Sequence, residues 1–294
     1  IDTLEVGTFM RSRKFSCVPG GKGTNVSRAI NALGYPTRAM VLVGQHTGAH
    51  VVDMIQHQDG VDCAPVWVEA PTRTITTVLE NRTHRQTAFF EPGPTVTDEE
   101  AETFIEAFVG MVGEASVVTF NGTVPDRSID FLYQDLIAIA KERGVLTILD
   151  SHGREFESGI ASQPYMVKPN VAEAEEMLGA PLDTREAQWH AVDAYHARGV
   201  TLVVLSLGKQ GALVSREGVR FHVIPPQVKE VNPVGSGDAL VAGFAIGLQE
   251  NVPIEEAARL GVAAGAANAM SWDIGHFTCE EVESLIDQVV IEYV

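Results

Sequence analysis

The chain has 294 residues, 45% hydrophobic and 20% charged, a balance that excludes disorder and low-complexity fibre. Lys and Arg number 21 against 39 Asp and Glu, so the net charge is 21 − 39 = −18, which argues against nucleic acid or an anionic membrane as partner. Its length fits two domains or one large α/β domain with an ample core.

Cys17, Cys63 and Cys279 are far apart and form no Cys-x-x-Cys pair, which predicts a reducing compartment without a disulfide framework or zinc ribbon. No apolar run approaches 18 residues, so no transmembrane helix is expected. With no basic-then-apolar leader pattern, a cytoplasmic enzyme or binding protein is the default class.

In chain order, residues 23–33 read as a helix stopped by Gly34, and Arg38 to Val43 as a strand ending at Gly44. A helix is expected over 49–58. Another spans 98–112, with Thr97 as N-cap before Asp98, Glu99 and Glu100. Strand 116–120, helix 127–143, strand 145–149, a strand around Met166, and helices 171–178 and 184–198 follow. Strand 201–206 precedes a helical end over 237–250, 254–271 and 278–291. Strands alternating with helices of this length predict a doubly wound, mostly parallel α/β sheet with helices on both faces. Residues 3–17 and 66–91 break the rhythm and read as extended β without helices, a small sheet suited to a lid. Ile75, Thr77 and Leu79 alternate with Thr74, Thr76 and Val78, and Phe89 and Phe90 add apolar area. One face is expected to close on substrate and the other to be covered by a second copy, giving a lid-to-lid homodimer.

Four junctions carry chemistry. In Asn232-Pro233-Val234-Gly235-Ser236-Gly237-Asp238, two glycines turn the chain into an apolar helix, and the bare helix start makes an anion hole. Asp238 in the first turn could simply stabilise the helix, but a carboxylate buried beside an anion site suits a general base. Gly20-Gly21-Lys22-Gly23-Thr24-Asn25 repeats the glycine-to-helix turn with a cation and an amide able to hold phosphate or sugar hydroxyls. Asn170 and Glu173 read as a capping box, or as groups that orient magnesium-bound water near a nucleotide. Ser206-Leu207-Gly208-Lys209-Gln210-Gly211 reads as a hairpin turn or a nucleotide-contacting edge. Neither Lys22 nor Lys209 is followed by Ser or Thr, so a P-loop is unsupported, and no Gly-x-Gly-x-x-Gly opens the first helix. His46 and His50 have metal-ligand spacing without a third ligand nearby, and read as solvated.

Together these motifs resemble the PfkB carbohydrate kinases of the ribokinase-like superfamily, over nearly the whole chain. Gly-Lys-Gly-Thr-Asn-Val looks like that family's first signature, and Asn-Pro-Val-Gly-Ser-Gly-Asp-Ala-Leu-Val-Ala-Gly-Phe like its second. Asn-Pro before Val-Gly-Ser-Gly-Asp, and Thr72-Arg73 on the second lid segment, are similar to the branch acting on phosphorylated hexoses. The resemblance implies a ribokinase-like fold in one kinase domain, and transfer of the ATP γ-phosphoryl group with Mg2+ to a fructose 1-phosphate or tagatose 6-phosphate type of sugar. It implies Asp238 as base and Gly235, Ser236 and Gly237 as anion hole. Asp2, Gly21, Lys22, Gly23, Asn25 and Arg73 would hold the sugar phosphate. Lys168, Asn170, Ser206, Gly208, Gly211 and Asn268 would face the nucleotide, and Glu173 the metal through water. The family's strand before the Asp matched by Asp2 has no counterpart in this sequence, and a parallel sheet without it is expected to be destabilised. Asn121-Gly122-Thr123-Val124-Pro125, and His152 after Asp150-Ser151, depart from the family's usual residues and bear on the choice of sugar. Two alternatives stand beside this reading: a kinase for an unphosphorylated sugar or nucleoside, and a sugar sensor that has lost catalysis.

Overall fold

The computed structural model describes residues 1–83 and 85–294. The elements run α1 (Lys22–Ala32), β1 (Arg38–Gly44), α2 (Gly48–Asp53, continuing as a π turn over Met54–Gln58), β2 (Asp62–Val68), β3 (Ile75–Leu79) and β4 (Gln86–Phe90). Next come α3 (Asp98–Met111), β5 (Val117–Asn121), α4 (Leu132–Glu142), β6 (Leu146–Asp150), α5 (Gly153–Ala161), β7 (Met166–Val167), α6 (Val171–Leu178) and α7 (Arg185–Ala197). The last are β8 (Leu202–Ser206), β9 (Ala212–Arg216), β10 (Val219–Ile224), α8 (Ser236–Gln249), α9 (Ile254–Met270), α10 (Cys279–Ile286) and β11 (Val290–Tyr293).

The main sheet has seven strands in the order β11-β10-β9-β8-β7-β6-β5. Strands β5 to β8 are parallel, whereas β8 to β11 are antiparallel, so the sheet is mixed rather than mostly parallel. Strand β8 reads Leu-Val-Val-Leu because both faces are buried. Leu202 and Val204 join α1, α8 and α9 in one core, while Val203 and Leu205 join α4, α5 and α7 in the other. The Ala- and Gly-rich sequence of α8 and α9 lets their axes approach. A Cβ on Gly243 would collide with the Gly261 backbone, and one on Gly247 with Ala257. That contact fixes where α8 begins.

Three sequence expectations change. Residues 3–17 form no strand. Ile1 and Asp2 instead use their carbonyls on Asn81 and Arg82 at the end of β3, and the basic, glycine-interrupted run that follows lacks apolar alternation. Of 66–91, Val66–Val68 belongs to β2, which pairs in parallel with β1, so the lid is only the β3–β4 hairpin. The helix expected over 278–291 stops at Ile286. Ile291 and Tyr293 then add β11 to the edge of β10 opposite Val223 and Phe221, where β-branched and aromatic side chains pack well. The β1–β2 pair also stands apart from the main sheet: β1 and β5 both line one cavity instead of pairing with each other.

Candidate active site

The second glycine motif enters α8 through a turn that only glycine can make. Gly235 has φ +85°, and a Cβ there would strike Cγ2 of Ile274. The turn is braced from both sides. Asn232 accepts from the Val234 amide at 3.1 Å and donates to the Trp272 carbonyl at 2.9 Å. Asn268 donates to the Val234 carbonyl at 2.8 Å and to the Ser236 hydroxyl at 3.1 Å. The Ser236 amide closes the turn on the Pro233 carbonyl at 3.2 Å, and the next first-turn amide of α8, that of Gly237, stands at a positive helix end.

Asp238 follows on that turn and is 6% exposed. The Nδ2 of Asn25, from the first turn of α1, donates to its Oδ2 at 2.7 Å. Burial pushes the Asp238 carboxyl up to about 6. The Asn25 hydrogen bond opposes this, Asp150 adds to it, and Lys168 and Lys22 oppose it. Such a group is ionised at neutral pH yet basic enough to take a proton.

Lys22 and Lys168 converge on Asp150 at the end of β6, at 3.4 and 3.3 Å from the same carboxylate oxygen. Asp150 is 1% exposed and its Oδ2 has no partner among the described residues. Lys22 also lies 3.6 Å from Oε1 of Glu173. Burial pulls the Lys22 ammonium down, but Asp150, Glu173 and Asp238 together hold it above its ordinary value, so it stays charged. Lys168 packs against Gly237, with Nζ 3.5 Å from the position a Cβ would take.

Asn170 and Glu173 form the capping box of α6. Asn170 Oδ1 accepts from the Glu173 amide at 2.9 Å, and Glu173 Oε2 accepts from the Asn170 amide at 2.9 Å. The box leaves Oε1 of Glu173 for Lys22, so one carboxylate both caps a helix and faces the lysine beside Asp238. Ser206 ends β8 beside Pro169 and Asn170, and Gly208 and Gly211 make the turn into β9. A Cβ on Gly211 would collide with the Val223 carbonyl. Asp150, Asn170 and Ser206 thus sit together at the carboxyl ends of adjacent strands, the position where open α/β sheets bind ligands.

One continuous cavity of about 3260 Å³ brings together Gly21, Lys22, Gly23, Asn25, Arg73, Lys168, Asn170, Ser206, Gly208, Gly211 and the Gly235–Asp238 turn. Arg73 is exposed on the lid stem, its guanidinium 6.0 Å over the Phe90 ring and without a carboxylate partner among the described residues. Two expected residues fall elsewhere. Asp2 is paired with Arg13 on the exposed 3–17 segment. Asn268 is 1% exposed behind the glycine turn, its amide used on Val234, Ser236 and Gly275, so it supports the anion hole from inside. His46 and His50 are exposed at α2. Asp150 was missed as a site residue; an aspartate closing a predicted buried strand was the available signal.

No helix among the described residues is long and apolar enough to cross a membrane. The pattern of the pfkB family carbohydrate kinases matches residues 2–271. The chain is 30% identical over 295 residues to a tagatose-6-phosphate kinase of Staphylococcus epidermidis, covering 99% of this chain and 94% of the relative. It is 30% identical over 291 residues to the 1-phosphofructokinase of Bacillus subtilis, with the same coverage of 99% and 94%. Its fold superposes on Escherichia coli phosphofructokinase-2 in complex with substrates and products with a TM-score of 0.89 at 27% identity, covering 98% of this chain and 93% of that one. The buried carboxylate at a glycine-turned helix start, the lysines around it and these likenesses agree: the chain belongs to the pfkB family of carbohydrate kinases and is a phosphotransferase.

Proposed function

We propose that this single kinase domain transfers the γ-phosphoryl group of ATP to a hydroxyl of a hexose phosphate of the fructose 1-phosphate or tagatose 6-phosphate type, yielding a hexose bisphosphate and ADP. Asp238 carries the reading. It is a buried carboxylate with a pKa raised to about 6, beside an anion-binding helix start and within the field of Lys22 and Lys168. The acceptor hydroxyl loses its proton to Asp238 as its oxygen attacks the γ-phosphorus, and the bond to the bridging oxygen of ADP breaks. The amide of Gly237 at the start of α8, with Lys168 and Lys22, offsets charge on the moving phosphoryl group. The donor set on α6 is oxygen only, which suits magnesium. Glu173, with Oε1 outside its capping bond, would hold Mg2+ through water, and the ion would neutralise phosphate charge.

Arg73 reads the phosphate already on the sugar. It is a cation without a carboxylate partner among the described residues of a strongly acidic chain, placed where the lid overhangs the cavity. We further assign the outer face of the lid to a homodimer contact. A panel of free and phosphorylated hexoses with MgATP, read by ADP release, tests the assignment. Ketohexose monophosphates are expected to be turned over far faster than the parent sugars. Preference for free fructose would overturn it.

A further inference from the structure

We propose that Arg28 is a positioning residue for catalysis: it fixes the side-chain amide of Asn25 so that the NH2 end faces Asp238. This rests on Asp238 being the base.

Arg28 lies on α1 one turn after Asn25 and is 4% exposed. Its Nη1 donates to Asn25 Oδ1 at 3.2 Å and to the Ile274 carbonyl at 3.1 Å. Its Nη2 donates to the Pro19 carbonyl at 2.9 Å and to Asp59 Oδ2 at 2.7 Å. The two ends of an asparagine amide have nearly the same shape, so their partners decide which way it points. With the guanidinium donating to Oδ1, only Nδ2 can face Asp238, at 2.7 Å. The flipped amide would set its oxygen against the carboxylate and its NH2 against the guanidinium, unfavourable at both ends.

The same guanidinium reaches the other half of the site. Ile274, whose carbonyl it holds, fills the space that leaves room only for glycine at 235. Gly275 packs on the Arg28 side chain, with Cδ 2.9 Å from where a Cβ would sit, and donates to Asn268 at 2.8 Å. Asn268 in turn ties Val234 and Ser236. One buried cation therefore joins the base and the anion hole. Asp59 offsets its charge from the far side, with its side chain 1% exposed.

Donation from Asn25 favours the ionised carboxylate, as Lys22 and Lys168 do, while burial and Asp150 oppose it. Losing the fixed amide should therefore move the acid limb of kcat/KM to higher pH. The test variant is Arg28→Met with Asp59→Leu, which removes the buried pair together and leaves no lone charge. Assayed with MgATP and sugar phosphate, its acid limb should rise by roughly 0.5–1 pH and kcat fall about 10-fold, with the KM for ATP within about twofold. Asn25→Ala should shift the limb likewise, and combining the two changes should add nothing further. Asp59→Asn, which keeps Arg28, should lower Tm and leave the limb in place. Arg28→Lys, held by Asp59, cannot serve all four acceptors and should move the limb in the same direction. Limbs matching the parent in both Arg28 variants, or additive shifts with Asn25→Ala, would overturn the inference. Asp238→Asn separates the two claims. If that variant keeps full turnover, the base assignment fails. If it is inactive while Arg28 variants keep the parent profile, only the role of Arg28 fails.

Discussion

Asp238 is held where its charge is costly, and that cost has two measurable signs. Its ordinary value is 3.8 and burial raises it to about 6. Below the ordinary value it is protonated in folded and unfolded chains alike and has no effect. As pH rises towards 6 the unfolded chain ionises first, so the folded state loses stability, and above 6 the loss is complete at ~3 kcal/mol. Asp238→Asn should therefore melt higher than the parent at pH 7 and equally at pH 3.5, while turnover falls roughly 10²–10⁴-fold. The parent's kcat/KM should decline below about pH 6. Turnover within about threefold of the parent would remove Asp238 from the mechanism. Lys22 and Arg73, grouped by sequence as readers of one sugar phosphate, line the same cavity from different elements. Lys22 sits between Asp150 and Glu173, whereas Arg73 stands on the lid stem. Arg73→Ala should raise the KM for the sugar phosphate roughly 10-fold, about 1.4 kcal/mol, and leave the KM for ATP alone. Lys22→Ala should lower kcat as well. Equal effects of Arg73→Ala on both KM values would move Arg73 off the sugar side. The glycine turns, Lys22, Asn25 and Asp238 were legible because each stands at a strand-to-helix junction with its own composition. Asp150 and the inward use of Asn268 were not, since both depend on which strands and helices become neighbours.

At the scale of elements, the lid hairpin has two unequal faces. Strand register puts Ile75 opposite Phe90 and Thr77 opposite Ala88, and these residues line the cavity. Register puts Phe89 and Val78 on the other face; Val78 also borders the cavity, whereas Phe89 does not and is 56% exposed. A two-stranded hairpin buries neither face by itself. A two-fold contact that packs Phe89 and Val78 on their copies would cover the outer one. Sedimentation at micromolar concentration should give a dimer, and Phe89→Asp or Val78→Lys a monomer with reduced activity. A fully active monomeric parent would sink the contact, and a dimer surviving both substitutions would place it elsewhere. Period and caps made most elements readable. Thr97, for example, is the N-cap that its sequence announced, and the structure adds a capping box with Glu100. Pairing was harder to read. Residues 3–17 look extended but find no strand to join, while the last residues, read as helix, are taken by the free edge of β10. Strand formation there is decided by a neighbour distant in sequence.

Across the whole molecule, the described strands fall into a β1–β2 pair that leads into the lid hairpin and a seven-stranded body. Among the described residues β1 and β2 pair with each other alone, and β1 and β5 line the same cavity. The catalytic turn, Lys168, Asn170 and Ser206 belong to the seven-stranded body. The lid belongs to the other: β2 runs into Thr72 and Arg73, and the Gly44 amide at the end of β1 donates to Thr72 Oγ1 at 2.8 Å. A Cβ on Gly44 would collide with the Ala70 carbonyl, so the end of β1 and the lid stem move as one piece. Backbone groups on an unpaired edge open more readily than those of a strand bonded on both sides and packed on both faces. Amides of the lid strands β3 and β4, which pair with each other alone among the described residues, should therefore exchange faster than those of β6 and β8 in the free protein. A sugar phosphate held between Arg73 on one body and Asp238 on the other would tie the two together. Adding it with a non-hydrolysable ATP analogue should slow exchange in β3 and β4, and should do so less in Arg73→Ala. Protection of β3 and β4 equal to that of β8 without ligand would show that the lid is already held closed. Exchange in β3 and β4 unchanged by the ligands would show that the lid does not close on the sugar.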